Sequence, residues 1–491
     1  MNKIKFLRDL SIRIQEKYEH SLFTKVFSGW ILLTLLISLN SFLGKGYLSQ
    51  NSSLSCFPHF QSCKEWFSVI NLTPLPFSYL ESLFFTFLFA LMVLAAYYLY
   101  SKKYAYVHYL IGALFVVKLF IMSMNYGIAN YDYYDIAMTF VFLLYPAGRN
   151  LLKLTFVVLY FLSSTIKIHE GWILGTYFST LFYGLPLIPL ALIPVATNIV
   201  ILSQMIGCWF LLHKNEKVVT SFVYFFIAFH LYSTILVGYR YPITSLLSLL
   251  ILFLVRDKMK GGAKVEKEER TFLLSKKTLP LYLFFVFLFG GQMIAIVIPG
   301  DQKLTLEGNN YGLYMFEANH QCVSRIKEES SGNASASASY DSRNRCDPYM
   351  YLISLQKKYC YDDEASTSMI SWTFDHSING EPYKRIVNTS NICTLVYKPF
   401  THNAWIQEQG ETIAKAYKNV TITGSAGGNE PVEKDGYLFA SFLSNSESVT
   451  KTSFQLILER HITTLKNFYW LLWVATLLFA LFTLIKNSIK I

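Results

Sequence analysis

The sequence predicts a mostly α-helical polytopic membrane protein, with about ten transmembrane helices and a disulfide-containing, β-rich or α+β extracytoplasmic domain. Three observations support this fold class. Of the 491 residues, 53% are hydrophobic and 15% are charged, whereas soluble domains carry about 25% charged residues. Long apolar runs alternate with short basic loops. Six of the seven cysteines fall on one predicted side of the membrane.

The chain divides into four predicted regions. Residues 1–26 form a charged segment with apolar residues at roughly helical spacing, which we expect to lie on the cytoplasmic membrane surface. Residues 27–299 form a transmembrane domain, residues 300–464 a periplasmic or lumenal domain, and residues 465–491 a last transmembrane helix with a short cytoplasmic tail. The predicted spans are residues 27–44, 76–100, 107–124, 132–147, 151–166, 188–212, 218–237, 242–255, 279–298 and 466–486.

The distribution of lysine and arginine predicts the orientation. Basic residues are concentrated in segments that alternate along the chain, and cytoplasmic loops carry such an excess. Both termini are therefore expected in the cytoplasm, and the large domain in the bacterial periplasm or the lumen of the endoplasmic reticulum. The net charge of +11 is explained by these loops, so we predict no nucleic-acid partner. The basic segments are the N-terminus, residues 101–103, 149–153, 213–217 and 256–277, and the C-terminus.

Cysteine placement supports the same orientation, because an oxidising compartment permits disulfides. Cys208 alone lies in a membrane segment, and we expect Cys56 and Cys63 to pair. The remaining four outer cysteines allow three connectivities. The six disulfide candidates are Cys56, Cys63, Cys322, Cys346, Cys360 and Cys393.

The outer domain shows mixed signals. Residues 348–360 predict a short helix, and residues 328–345 a mobile low-complexity loop. Alternation and aromatic content predict strands at residues 368–375, 393–398 and 451–458.

Lys167 leaves the fifth apolar segment together with His169 and Glu170, and Trp172 follows. An ionisable group at the edge of the hydrocarbon costs a few kcal/mol or more, which favours a functional role. The alternative is that Lys167 snorkels to the headgroups and that its neighbours belong to the interface.

Other polar residues also interrupt apolar segments. Lys118 is expected to pair with a carboxylate of the fourth segment, and Asp132 and Asp135 open a helix, where the dipole favours carboxylates. His230 is predicted either to hydrogen-bond between helices or to face a pocket. Gln204 interrupts the sixth segment. A pocket opening outward is the combined hypothesis for Asn130, Asp132, Lys167, His230 and Arg240, since all lie toward the outer ends of their segments.

Other catalytic classes fit poorly. His320-Gln321-Cys322 lacks a second cluster at metal-binding spacing, so no metal is predicted. The chain contains no G-x-S-x-G motif of serine hydrolases.

Three patches give the chain a family resemblance. Asn130-Tyr131-Asp132 leads into an apolar helix that ends Tyr145-Pro146-Ala147-Gly148-Arg149. Tyr160, Lys167, Trp172 and Gly175 follow at set intervals, and Phe229-His230 precedes Gly238 and the Arg240-Tyr241-Pro242 turn. In this order the patches resemble the membrane domain shared by vitamin K-dependent gamma-glutamyl carboxylases and their bacterial relatives, the HTTM family. The resemblance covers roughly residues 15–300, with a weaker similarity over residues 311–316.

The chain departs from the carboxylase pattern at three places. Ile166 stands where the family has the first of two lysines, and His169 replaces an aspartate. Tyr131 replaces the histidine of animal carboxylases.

The resemblance implies an enzyme. Lys167 would deprotonate a reduced vitamin K-type naphthoquinone (menaquinol or phylloquinol), and His230 would orient its oxygens. Oxidation by O2 then provides a base that removes a glutamate γ-proton, and the carbanion captures CO2 while the quinone becomes an epoxide. A free lysine is protonated at neutral pH, and burial against apolar helices disfavours that charged form. The implied pocket residues are Asn130, Asp132, Tyr160, Trp172 and Arg240.

The implied partners are the lipid bilayer, the membrane quinol and an exported peptide or protein substrate. Two other functions remain open on the sequence. The same fold would serve a different modification of an exported peptide, or the protein would be a non-enzymatic receptor or scaffold whose 300–464 domain binds a partner.

Overall fold

A computed structural model of the chain describes residues 2–43, 77–123, 130–179, 184–237, 240–255, 278–314, 318–328, 334–340, 346–360, 369–413 and 450–489. Within these ranges the chain is mostly helical, and every predicted span overlaps a helix. The long helices are α1 (Asn2–Glu19), α2 (Leu22–Leu43), α3 (Phe77–Tyr100), α4 (Tyr104–Ser123), α5 (Asn130–Leu144) and α6 (Arg149–Thr165). Two short helices follow, α7 (Glu170–Ile173) and α8 (Thr176–Ser179). The membrane region continues with α9 (Ile193–Met205), α10 (Glu216–Val237), α11 (Arg240–Leu254) and α12 (Leu279–Val297).

Six helices in the described part of the chain are long and apolar enough to cross a membrane, and a seventh span results if α1 and α2, bent by 101°, are counted together. Several helices of this length and hydropathy are consistent with a multi-pass membrane protein. The structure does not establish the ten predicted spans. Helices α5 and α11 have 15 residues each, or about 22 Å at the α-helical rise, which is short of a hydrocarbon core of roughly 30 Å.

Helix α6 is also short, with 17 residues, and it lies inside the bundle rather than against lipid. Phe156, Tyr160 and Phe161 are fully buried. Phe161 stacks on Trp473 of the last helix, α16 (Ile462–Ile489), with ring centres 4.7 Å apart. A helix enclosed by other helices needs no lipid-facing length. Its C-terminal end places Lys167 at the end of the bundle that contacts the region with the β-sheet.

The described part of residues 300–464, which we call the outer region after its predicted location, contains one antiparallel sheet and several helices. Strands β1 (His320–Glu328), β2 (Ala334–Tyr340), β3 (Ile370–Ile378), β4 (Lys384–Thr389) and β5 (Ile406–Thr412) are arranged in the order β2-β1-β3-β4-β5. The helices are α13 (Gln302–Thr305), α14 (Pro348–Tyr359) and α15 (Ser453–Arg460). Tyr349 and Leu352 of α14 belong to the same buried core as Trp372 and Phe374 of β3. The predicted α+β character is confirmed.

Two disulfides select one of the three connectivities. Cys322 in β1 bonds Cys346, just before α14, and Cys360 at the end of α14 bonds Cys393. The two bonds tie the two ends of α14 to β1 and to the 3₁₀ turn at residues 392–394. The predicted presence of disulfides is confirmed. Cys208 is free and buried. The predicted Cys56–Cys63 pair lies outside the described residues.

Some local predictions for the outer region are correct and others are wrong. The helix at 348–360 and the strand at 368–375 are confirmed as α14 and β3. The predicted strand at residues 451–458 is wrong. Helix α15 begins there at Ser453, because Thr452 and Gln455 make a reciprocal capping box. Residues 392–394 form a 3₁₀ turn capped by Asn391, and the predicted loop at 328–345 contains β2.

Candidate functional site

Lys167 sits in the turn that ends α6. Its backbone N–H donates to Ser164 O at 3.0 Å, and its Nζ donates to Ser163 O at 3.2 Å. The Nζ atom also lies 5.1 Å from the centre of the Trp172 ring. The residue is only 7% exposed, so the side chain does not snorkel to the surface. The amine is held between the end of its own helix and an aromatic face.

The short helix α7 explains how Trp172 comes to face Lys167. His169 caps α7, and its Nδ1 accepts a hydrogen bond from Gly171 N at 3.2 Å. The capped turn brings Trp172 back toward α6. The Trp172 ring stacks on Tyr177, with ring centres 5.7 Å apart, and meets Phe178 edge-on.

A cavity of about 200 Å³ opens beside the Lys167 amine. Its walls are mostly aromatic and aliphatic, with few polar groups, as is typical of small-molecule sites. Most of the walls are supplied by residues 166–179, α9 and α10. Its lining includes Tyr134, Ser163, Lys167, Trp172, Tyr177, Phe178, Leu185, Thr197, Gln204, Phe229, Tyr232 and Ser233.

His230 lies behind this wall and is fully buried. Its Nε2 is hydrogen-bonded to the hydroxyl of Tyr160, and its Nδ1 lies 3.2 Å from Ser245 Oγ. Among the described residues that line the cavity, Phe229 is present and neither His230 nor Tyr160 is. The Tyr160 ring packs edge-on against Tyr134, 5.9 Å away, which does line the cavity. The Tyr160–His230 pair therefore supports the cavity wall from behind.

Asp132 belongs to a different cluster. Lys118 Nζ lies 3.2 Å from Asp132 Oδ1, is paired with Asp135, and donates to Ser38 Oγ at 3.0 Å. The predicted pairing of Lys118 with a carboxylate of the fourth segment is confirmed. The cluster joins α2, α4 and α5, and a buried pair of this kind fixes helices only when both partners stay in place. Asp132 is not among the described cavity-lining residues.

Asn130 and Arg240 begin α5 and α11, respectively. Their side chains lie outside the described residues, so both stay predictions. Of the sequence-predicted site residues, the structure brings Lys167 and Trp172 together at the cavity and pairs Tyr160 with His230 behind it.

On its outer face, the turn that carries Lys167 contacts the carboxylate of Asp301. His169 Nε2 lies 3.7 Å from Asp301 Oδ1, and Asp301 also caps α13 by accepting from Lys303 N at 2.9 Å. Burial acts to raise the pKa of Asp301, but the hydrogen bond and charge of His169, together with Lys303, outweigh it and lower that pKa below its ordinary value. A carboxylate therefore stands just outside the turn.

No protein-family model, curated protein or solved structure matches this chain.

Several cavity residues were not predicted. Ser163 lies one helical turn before Lys167, a spacing that places both on one side of α6. Gln204 had a visible signal, because it is a carboxamide within an apolar segment, and it is 2% exposed in the structure. Tyr134 and Tyr177 carried no signal, because aromatic residues are common throughout the chain.

Proposed function

We propose that this protein is a quinol-dependent membrane enzyme similar to the vitamin K-dependent gamma-glutamyl carboxylases. It would couple epoxidation of a reduced naphthoquinone to carboxylation of glutamate in an exported peptide or protein. The observation that carries the proposal is the Lys167 amine, which lines an aromatic cavity at the outer end of the bundle. The outer region would face the periplasm or the lumen, where an exported substrate is available.

The cavity suits a flat, apolar ring with a small number of oxygen atoms. Trp172, Tyr177 and Phe178 offer aromatic faces, and Lys167 and Gln204 place polar groups in the wall. Mixed apolar and polar lining of this kind orients a small ligand. A naphthoquinol would contact the rings with its bicyclic face and Lys167 with one of its hydroxyl groups.

The segment between residues 185 and 200 offers a route from the bilayer to the cavity. Leu187, Leu190, Val195 and Ile199 are 95%, 56%, 44% and 51% exposed, respectively. Apolar side chains so exposed at the edge of a membrane bundle are suited to contact with lipid. They lie between Leu185 and Val200, which line the cavity. A quinol with an isoprenoid tail would therefore enter laterally and leave its tail among the lipids.

The role of Lys167 is to accept a proton from the quinol hydroxyl at Nζ. This step requires the neutral amine. When bound, the quinol supplies two electrons and, by reaction with O2, a base strong enough to deprotonate the glutamate γ-carbon. The overall reaction balances: quinol, O2, CO2 and a glutamate C–H give quinone epoxide, water and a carboxylated glutamate.

The other residues hold this arrangement and exclude water. Aromatic walls keep water away from a strong base that water would otherwise protonate. Tyr160 and His230 would keep Tyr134 in place in the wall. His230 would then act on the reaction through Tyr160 and Tyr134.

Substitution of Lys167 tests the proposal. The protein in lipid nanodiscs would be given menaquinol and O2, and epoxide would be quantified by chromatography. Lys153, near the other end of α6 and stacked over Phe253 at 5.1 Å, provides the matched control. We expect Lys167→Ala to abolish epoxide formation while Lys153→Ala retains it; equal activity of Lys167→Ala and wild type would refute the assignment.

Mass spectrometry of co-expressed exported peptides tests the second half of the reaction. The proposal predicts the mass gain of one carboxyl group on glutamate. A different mass change would replace carboxylation with another modification, and the absence of any change would favour a receptor or scaffold.

A further inference from the structure

The turn that carries Lys167 is held from outside by two amide side chains. We call residues 166–179 the lysine loop. Gln455 Nε2 donates to Leu174 O at 2.9 Å, and Asn319 Nδ2 donates to Tyr177 O at 2.6 Å. Gln455 is 1% exposed and Asn319 is 2% exposed. Hydrogen bonds shielded from water in this way have no solvent partner to replace them, so their loss leaves buried carbonyl groups unsatisfied.

The direction of the Gln455 amide is set by its own helix. Gln455 Oε1 accepts from Thr452 N at 2.9 Å as part of the capping box of α15. With the oxygen fixed on Thr452, the NH2 group points away from the cap and reaches Leu174 O. Helix α16 follows α15 almost at once, and its Trp473 stacks on Phe161 of α6. The helix that follows the donor's helix therefore packs against α6.

Asn319 is fixed by a reciprocal pair with Asn379 after strand β3. Asn319 N donates to Asn379 Oδ1 at 3.0 Å, and Asn379 N donates to Asn319 O at 2.9 Å. Asn379 adopts a left-handed backbone conformation, with φ +52°. A Cβ atom on Gly171 would lie 2.4 Å from Asn379 Nδ2. The end of the sheet thus contacts the lysine loop directly.

We infer that Asn319 and Gln455 are positioning residues for Lys167. By binding the carbonyl groups of Tyr177 and Leu174, they fix the lysine loop, and with it the place of the amine and the Trp172 ring at the cavity. Neither side chain is among the described residues that line the cavity, so they act through the loop. The catalytic consequence rests on the proposed function, whereas the fixing of the loop is measurable without any activity.

A matched pair of substitutions separates this role from general stability. Gln455→Glu keeps an acceptor for Thr452 N and removes the donor to Leu174 O. Gln356 provides the control, since it is 7% exposed and donates to Ile392 O at 2.9 Å and Leu395 O at 2.8 Å within the outer region. Gln356→Glu introduces the same charge into a similarly buried amide site, at a distance from the lysine loop. Asn319→Ala is the second test variant and decides the question if Gln455→Glu does not fold.

Two readouts report on the loop without turnover. Hydrogen exchange of a peptide covering residues 168–179 measures how firmly the loop is held, and the rate of Lys167 modification by a small amine reagent measures access to the amine. Loss of one hydrogen bond predicts roughly fivefold increases in both rates for Gln455→Glu and Asn319→Ala. Gln356→Glu should match wild type. Unchanged rates in both test variants, or an equal increase in the control, would overturn the inference.

Epoxidation kinetics then show whether the loop matters for turnover. We expect kcat to fall in both test variants, with a smaller change in KM for the quinol. A wild-type protein that forms no epoxide would refute the proposed function, while the exchange and modification rates would still decide whether Asn319 and Gln455 fix the loop.

Discussion

The Lys167 amine lies 5.1 Å from the centre of the Trp172 ring, and the capped turn of α7 creates this proximity. The ring forms one wall of the cavity that the amine also lines. The pair therefore both places the amine and shapes the ligand site.

Replacing Trp172 should impair quinol turnover more than it impairs folding. We expect Trp172→Leu to lower kcat/KM for menaquinol roughly 2- to 12-fold, which corresponds to the loss of about 0.5–1.5 kcal/mol of contact between the indole and the quinol ring. Trp172→Phe, which keeps an aromatic face, should lie between this variant and wild type. Trp470→Leu on α16 is the control outside the cavity. Equal kinetics for Trp172→Leu and Trp470→Leu would show that the Trp172 ring plays no part.

The Lys118 cluster should prove structural. Lys118→Met leaves Asp132 and Asp135 buried without their cation, and breaking such a pair costs about 3–5 kcal/mol. We expect a clear drop in thermal stability in detergent. Adding Asp132→Asn and Asp135→Asn should restore most of the loss, because the triple variant buries no unpaired charge. A triple variant as unstable as Lys118→Met would contradict this account of the cluster.

Acid should weaken the outer region through His376. Burial lowers the pKa of His376 from its ordinary 6.5 to about 4, and its Nδ1 donates to Leu304 O at 2.6 Å. The unfolded chain binds a proton at this histidine more readily than the folded chain does. The contribution of His376 to the free energy of unfolding is therefore fully present above pH 6.5 and is lost as the pH falls from 6.5 to 4. The free energy of unfolding lost through His376 over this pH range is about 3 kcal/mol.

Unfolding of the outer region, followed by its buried Trp372, should reveal this dependence between pH 7 and pH 4. His376→Phe removes the titrating group and should flatten the curve in that window. An unchanged slope in His376→Phe would assign the acid sensitivity to other groups.

Gly171 should resist substitution because of Asn379. A methyl group on residue 171 would lie 2.4 Å from Asn379 Nδ2, and overpacking of this kind costs about 1–3 kcal/mol. We expect Gly171→Ala to lower thermal stability and to speed hydrogen exchange in the lysine loop. Asn379→Gly in the same chain should recover part of the stability, because glycine tolerates the positive φ and removes the clash. Failure to recover would indicate a different source of strain.

The helices were predictable from sequence because hydropathy over about 20 residues depends little on long-range contacts. Whether each helix crosses the membrane was not predictable, because the length of α5 and the enclosure of α6 depend on neighbouring helices. The strand expected at residues 451–458 was wrong for a local reason. Thr452-x-x-Gln455 is a capping-box signature, and it outweighed the aromatic and alternating pattern.

The site was only partly predictable. Lys167 and Trp172 are close in sequence, so one turn suffices to bring them together. The sequence predicts a similar depth for Asp132, His230 and Lys167, but depth does not reveal the direction that a side chain takes around a helix axis. The contact between Gln455 and Leu174 joins residues 281 positions apart, and no local pattern encodes such a pairing.

Photolabelling with a menaquinone analogue that carries a photoreactive group on its ring would show whether a quinol binds beside Lys167. The protein in nanodiscs would be irradiated, digested and mapped by mass spectrometry, with and without excess menaquinol. We expect label on the lysine loop, α9 and α10, and loss of that label when menaquinol competes. Label confined to other helices, or label at the cavity that menaquinol does not displace, would contradict a quinol site beside Lys167.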